Sequence, residues 1–368
     1  MPATRLGRLL HYGSLGAGLA WGSASEYMRQ TTRGSSGSSL FLSAANVERL
    51  VDKLSTMRGA ALKLGQFLSI QDSHLLPPQV EEVLLRVQNA AHYMPGWQLE
   101  RVMTEELGEH WRAHFASDDE RPFAAASIGQ VHSAVMADPY PAQPEMAGRR
   151  GAGKVQVPGI RDSIASDLSY VKWLLTASAL LPKGLFLENS VQQLQQELQD
   201  ECDYTREADM CRRFYEHVAH MEPDGLCFEV PRVVDSVSTT RVLTAEFLRG
   251  RPLTQAAQMD QPTRDTIAHA IMERSLRELF DWHRMHTDPN WTNFLYHHER
   301  QSIQLIDFGA TRDYSSDFIA LWLKLLRAAV SGDRAQCEHW SVQIGYLTGH
   351  ESEVRIPPAN DRPCARLM

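Results

Sequence analysis

The sequence predicts an α+β chain in two lobes, preceded by a helical extension. Three observations carry that expectation. Apolar residues recur at three and four along Val47, Leu50, Val51, Leu54, Met57, Ala61, Leu64 and Leu68, which is helical spacing. Short strand-like runs flank tight turns from Phe123 to Ala134 and again from Pro231 to Leu248. Downstream, His286-Thr287-Asp288-Pro289-Asn290-Trp291-Thr292-Asn293 is followed by the apolar run Ile303–Ile306 and Asp307-Phe308-Gly309. An Asp, four residues, an Asn, then a strand ending in Asp-Phe-Gly is the metal and phosphate end of a protein-kinase-like site. Phosphoryl transfer requires Mg²⁺ on the nucleotide phosphates, so Asn293 and Asp307 are the expected metal ligands. Asp288 is expected beside the nucleophile.

The bulk properties narrow the class. Of 368 residues, 43% are hydrophobic and 22% charged, with a net charge of -8, which fits a globular chain and offers no basic stripe for nucleic acid. Five cysteines without C-x-x-C or zinc spacing read as thiols and not as a disulfide framework.

From the N-terminus, no Asp, Glu, Lys or Arg lies between Arg8 and Glu26, and Gly18 to Gly22 is a G-x-x-x-G. Two readings stay open: a marginal membrane segment whose small residues allow close helix packing, or a Gly-rich soluble helix or targeting remnant. Arg5 and Arg8 without an acid suit a mitochondrial presequence. Thr31–Ser39 reads as a linker. Helices are expected over Gln79–Ala91, after Pro77-Pro78, and over Gln98–Phe115.

Phe123–Ala134 reads as strand, turn, strand, with Ala124, Ala125, Ala126 and Ser127 where a kinase carries its Gly-rich phosphate loop. Lys154, in Lys154-Val155-Gln156-Val157-Pro158-Gly159, is the candidate phosphate-binding lysine. Its partner is expected on one long helix, Ser190–Tyr215, which carries Glu197, Glu201, Asp203 and Glu207. Gly151 and Gly153 leave the strand before Lys154 weak in β-propensity.

At this point the chain resembles the UbiB family of atypical kinase-like proteins, and within it the mitochondrial branch needed for coenzyme Q (ubiquinone) synthesis. Lys63-Leu64-Gly65-Gln66 matches its K-x-G-Q, Ala124–Ser127 its Ala-rich nucleotide loop, and Glu201-Cys202-Asp203-Tyr204 its E-x-D. Asp288-Pro289-Asn290-Trp291-Thr292-Asn293-Phe294 is similar to its mitochondrial catalytic loop.

The resemblance implies a bilobal protein-kinase-like fold with an N-terminal helical extension and a truncated C-lobe. The expected division is a membrane or targeting segment and linker (1–40), a K-x-G-Q extension (41–120), an N-lobe (121–250), a partial C-lobe (251–354) and an unmatched tail (355–368). It implies Lys154 on the α/β phosphates paired with Glu207, ATP or ADP with Mg as cofactors, and Lys63 and Gln66 covering the site against Glu201 and Asp203. Asp203 and Glu207, four apart, would share one helix face. That cover, with no A-P-E after Asp307, argues against a protein substrate.

The implied function is an ATPase acting on lipid intermediates or the ubiquinone biosynthesis complex. Its implied partners are membrane lipids, ubiquinone precursors, ubiquinone biosynthesis proteins and a second copy in a homodimer, at the inner mitochondrial membrane. The alternatives are a nucleotide-gated lipid-binding scaffold, a small-molecule kinase of the choline or aminoglycoside type, and an inactive splicing product. The apolar run Phe318–Val330 is expected to stay partly uncovered.

Overall fold

A computed structural model describes residues 5–33, 43–57, 63, 86, 93–126, 128–177, 187–221, 225–288 and 290–348. Apart from Arg86, the expected helix Gln79–Ala91 lies outside these, as do the tail from 355 and residues 34–39 of the expected linker. The fold is mixed α and β, as the sequence implies. It divides into two units: residues 1–218, 229–249 and 305–309, and residues 219–228, 250–304 and 310–368.

The first unit opens with α1 (Arg5–Arg33) and α2 (Ala44–Met57). Thr31–Arg33, expected in a linker, complete α1. No described helix is long and apolar enough to cross a membrane. The G-x-x-x-G takes part in packing within the chain. A Cβ on Gly22 would fall 2.0 Å from Asn46 Oδ1, so α2 approaches α1 where only glycine fits. There Asn46, fully buried, donates to Leu19 O and Ser23 Oγ, both at 3.3 Å.

Next come α3 (Gly96–Leu107), β1 (Phe115–Asp118), β2 (Ala124–Ala125), β3 (Gly129–Met136) and β4 (Arg150–Gln156), then α4 (Ile160–Ala177), α5 (Leu187–Glu201), α6 (Tyr204–Ala219) and β5 (Val242–Glu246). The helix expected over Gln98–Phe115 ends at Leu107, because Gly108 takes φ 86°. A 3-10 turn follows over Trp111–His114, and Phe115 opens a strand.

The sheet runs β1-β3-β4-β5, with β2 beside β3, and all described pairings are antiparallel. Strand β4 is complete despite its glycines, because β3 and β5 bond it on both sides. Strand alternation then sets two faces. Gly153 and Val155 lie toward Leu99, Met103, Trp111 and Val242, which line a small apolar cavity with them. Lys154 points the other way. Arg8 and Asp167 form a fully buried ion pair that ties α1 to α4.

The second unit holds β6 (Arg251–Pro252), α7 (Gln261–Phe280), β7 (Arg284–His286), β8 (Phe294–His297), β9 (Ser302–Leu305), β10 (Thr311–Asp313), α8 (Ser316–Ser331) and α9 (Arg334–Gln343). The short strand Cys227–Glu229 starts a four-stranded sheet that continues β9-β8-β6, while β10 pairs with β7. Helix α8 is capped by Ser315 and stopped by Gly332 at φ 71°. Its run Phe318–Val330 is only partly covered: Val330 is 80% exposed, while Ile319 and Ala328 are buried.

Candidate functional site

In the first unit, Lys154 stands in β4 opposite Leu243 of β5 and Val131 of β3. Its Nζ lies 2.8 and 2.9 Å from the two Glu207 carboxylate oxygens and 3.4 Å from Asp307 Oδ2. It also sits 5.3 Å from the centroid of the Tyr204 ring.

Glu207 occupies the first turn of α6, where the helix N-terminus favours a carboxylate. The long helix expected over Ser190–Tyr215 is in fact two, α5 and α6, broken at Cys202–Asp203. Asp203 therefore does not share a helix face with Glu207. It caps α6, its Oδ1 accepting from Thr205 N at 3.1 Å and Arg206 N at 3.4 Å. The break is fastened to β4 by Gln156, whose Nε2 donates to Cys202 O at 3.0 Å.

Lys63 meets Glu201 at the end of α5, Nζ to Oε1 at 2.5 Å, with side-chain exposures of 13% and 14%. So the K-x-G-Q lysine contacts the E-x-D glutamate as the sequence implies, whereas Asp203 makes cap bonds. Gln66 lies outside the described residues, as does Ser127.

Ala124 and Ala125 pair with Val131 and Gln130. The Ala126 N–H donates to Gly129 O at 2.9 Å, closing the turn. Gly129 is dictated by crowding: a Cβ there would lie 2.6 Å from both Tyr204 Oη and Val155 O. Asp307 Oδ1 accepts from Gly309 N at 3.0 Å, and Arg206 Nη1 donates to Gly309 O at 2.9 Å, so both ends of the Asp-Phe-Gly turn are held. Phe308 packs against Phe214 of α6 with ring centroids 5.2 Å apart.

The electrostatics follow from two carboxylates around one ammonium. Burial opposes the charge on Lys154, but Asp307 and Glu207 outweigh it and hold its pKa well above the usual lysine value. Burial raises the Glu207 carboxyl to about 7, with Lys154 pulling the other way.

Tyr204, Arg206 and Gly129 were missed in the sequence. A tyrosine and an arginine beside an E-x-D carry no spacing signal of their own, although Tyr-Thr-Arg-Glu directly after an Asp is a helix start.

In the second unit, Asp288 follows β7 and is half-buried. Asn293 Nδ2 donates to Asp288 O at 3.2 Å. Asn290 caps the intervening 3-10 turn by accepting from Thr292 N at 3.0 Å. Thr287 is fixed through its N–H and hydroxyl to Ala310 O at 3.3 and 2.6 Å.

The residues fit a Mg-nucleotide. Among the described residues, no cluster of three or more His, Cys, Asp or Glu forms a cage for a metal alone. Mg²⁺ usually binds through one or two carboxylates together with substrate phosphates, and Asp307, 36% exposed, could supply such an oxygen ligand. Lys154 is the positive charge beside it that could meet a phosphate.

The chain is similar to known proteins. Residues 86–341 match the ABC1 atypical kinase-like domain. The chain is 43% identical over 355 residues to "Atypical kinase COQ8, mitochondrial" of Saccharomyces cerevisiae, covering 96% of this chain and 68% of that one. It is 44% identical over 358 residues to "Atypical kinase COQ8B, mitochondrial" of Rattus norvegicus, covering 96% and 65%. It thus spans about two thirds of the length of these relatives. A solved structure, the Rv3197–erythromycin complex from Mycobacterium tuberculosis, is similar with TM-score 0.54 and 27% identity, over 84% of this chain and 76% of that one.

Proposed function

The chain belongs to the ABC1 atypical kinase-like family, and from that premise we propose that it binds Mg-ATP or Mg-ADP and acts as an atypical kinase or ATPase in mitochondrial coenzyme Q synthesis. The observation that carries this reading is Lys154 between Glu207 and Asp307 on the strand, helix and Asp-Phe-Gly turn that a phosphotransfer site uses.

Lys154 neutralises the α/β phosphates, and Glu207 fixes the ammonium. Asp307 and Asn293 are assigned to Mg²⁺ from their motif, and Asp288 to the nucleophile. Mg²⁺, when bound, neutralises charge that develops on the transferred phosphoryl oxygens. Ala124–Ser127 form the nucleotide loop. Lys63, Gln66, Glu201 and Asp203 form the cover, with Asp203 contributing through the helix cap. A covered site favours a small or lipid acceptor, or simple hydrolysis, over a protein substrate.

A lipid surface is the proposed neighbour. On α1, Leu9, Leu10 and Trp21 are 46–75% exposed within a stretch without charged side chains from Leu9 to Ser25, and Tyr27 and Met28 beyond Glu26 are 62% and 66% exposed. An exposed apolar helix face of that kind suits a membrane interface. This supports placement at the inner mitochondrial membrane with ubiquinone precursors and biosynthesis proteins as partners.

The same face favours a second reading, a nucleotide-gated lipid-binding scaffold. Steady-state ATP hydrolysis with and without liposomes separates the two. Mg-dependent turnover that rises with liposomes is expected. Nucleotide and liposome binding without any turnover would move the assignment to the scaffold.

A further inference from the structure

A buried charge pair in the second unit adjoins the segment that carries Asp288, and it has no place in the phosphotransfer motif. Arg274 and Glu278 lie one turn apart on α7, with side-chain exposures of 2% and 0%, and Nε to Oε1 at 2.7 Å. The order, Arg before Glu, is the less favourable one along a helix. Burying two charges usually gains little over an apolar pair of the same volume. The contact is an ion pair and not an aligned hydrogen bond. Arg274 Nη1 has no hydrogen-bond partner among the described residues. The guanidinium lies instead against the Phe228 and Phe294 rings, 5.6 and 5.3 Å from their centroids.

Helix stability therefore does not account for this pair. The second carboxylate oxygen does. Glu278 Oε2 accepts from the backbone N–H of His286 at 2.9 Å, in a buried position. His286 ends β7, two residues before Asp288, and pairs across to Thr311 of β10. The chain beyond it is tied at Thr287 to Ala310 O and at Asp288 O to Asn293. Glu278 thus fixes the entrance of a segment whose next residues are each fixed by another bond.

We propose that Glu278 is a positioning residue for Asp288: its carboxylate holds the His286 amide, and Arg274, walled by Phe228 and Phe294, holds that carboxylate in place. The role rests on the phosphotransfer reading above for its effect on turnover, but not for its effect on the loop.

The test compares Glu278→Gln with Glu278→Leu, each combined with Arg274→Met so that no lone charge is left in the core. Gln keeps an acceptor for His286 N–H and Leu does not. At equal Mg-ATP affinity, and at a temperature where both forms are folded, the Leu form is expected to lose roughly tenfold or more in kcat at unchanged KM, the scale of one orphaned buried donor. The Gln form is expected to restore turnover. Amide exchange over His286–Asn293 is expected to quicken in the Leu form alone.

Equal exchange and equal kcat in the two forms would overturn the proposal, as would a kcat loss matched by an equal loss of nucleotide affinity. A parent chain without ATPase activity would count against the phosphotransfer reading, and the exchange comparison would still decide the role of Glu278. Should both paired changes unfold the chain, Glu278→Asp, which withdraws the oxygen by one methylene, is expected to quicken exchange at His286, and parental exchange there would overturn the proposal.

Discussion

Lys154 Nζ reaches both carboxylate oxygens of Glu207, at 2.8 and 2.9 Å, across a strand and a helix that lie 53 residues apart in the chain. Both side chains are largely buried, at 16% and 4% exposure. Removing one partner strands a charge in a low-dielectric site, at a cost of about 3–5 kcal/mol. Lys154→Ala is expected to lower stability on that scale, and Lys154→Met with Glu207→Gln to recover much of it. Denaturant unfolding of the singles and the double measures the coupling.

Gly13 and Gly22 share α1 and differ in surroundings. Nothing lies within 4 Å of a Cβ on Gly13, whereas a Cβ on Gly22 meets Asn46 and Arg49 at 2.0 and 2.6 Å. Gly13→Ala is expected to stabilise by about 0.5–1 kcal/mol through helix propensity. Gly22→Ala is expected to destabilise by about 1–3 kcal/mol as α2 is pushed away. Thermal melts of the two variants should move in opposite directions.

His132 gives a pH dependence. Burial lowers its pKa below 6.5, against the raising effect of the Asp119 carbonyl bond. The unfolded chain takes up a proton near 6.5 that the folded chain declines, so the stability contributed by neutral His132 is present above about 6.5 and fades as pH falls below it. Between about pH 7 and pH 5.5 the parent is expected to lose more melting temperature than His132→Gln. Parallel curves would show that His132 does not titrate in this way.

The candidate site residues Asp288, Asn293 and Asp307 could be named from sequence because their signals are local: each lies in a short loop beside a strand. Lys63 and Glu201 were legible only through the resemblance, since 138 residues separate them and no periodicity links them.

Other features depend on tertiary context. The glycines of β4 lower its strand propensity, yet β3 and β5 complete the ladder on both sides. The helix break at Cys202–Asp203 carries neither Gly nor Pro, so a continuous helix was the natural expectation. Its one signal was Asp203 as a cap. Arg274 and Glu278 carry no signal beyond i,i+4 spacing, which does not show which face of a helix is buried.

The most direct test of a Mg-nucleotide site built on Lys154, Glu207 and Asp307 is thermal stabilisation by ATP or ADP, with Mg²⁺ or with EDTA, in the parent and in Asp307→Asn. The parent is expected to gain several degrees with Mg-nucleotide, as about 100 times Kd of ligand supplies roughly 2.7 kcal/mol. That gain is expected to vanish with EDTA and in Asp307→Asn. An unchanged shift in Asp307→Asn, or one indifferent to Mg²⁺, would contradict the assignment.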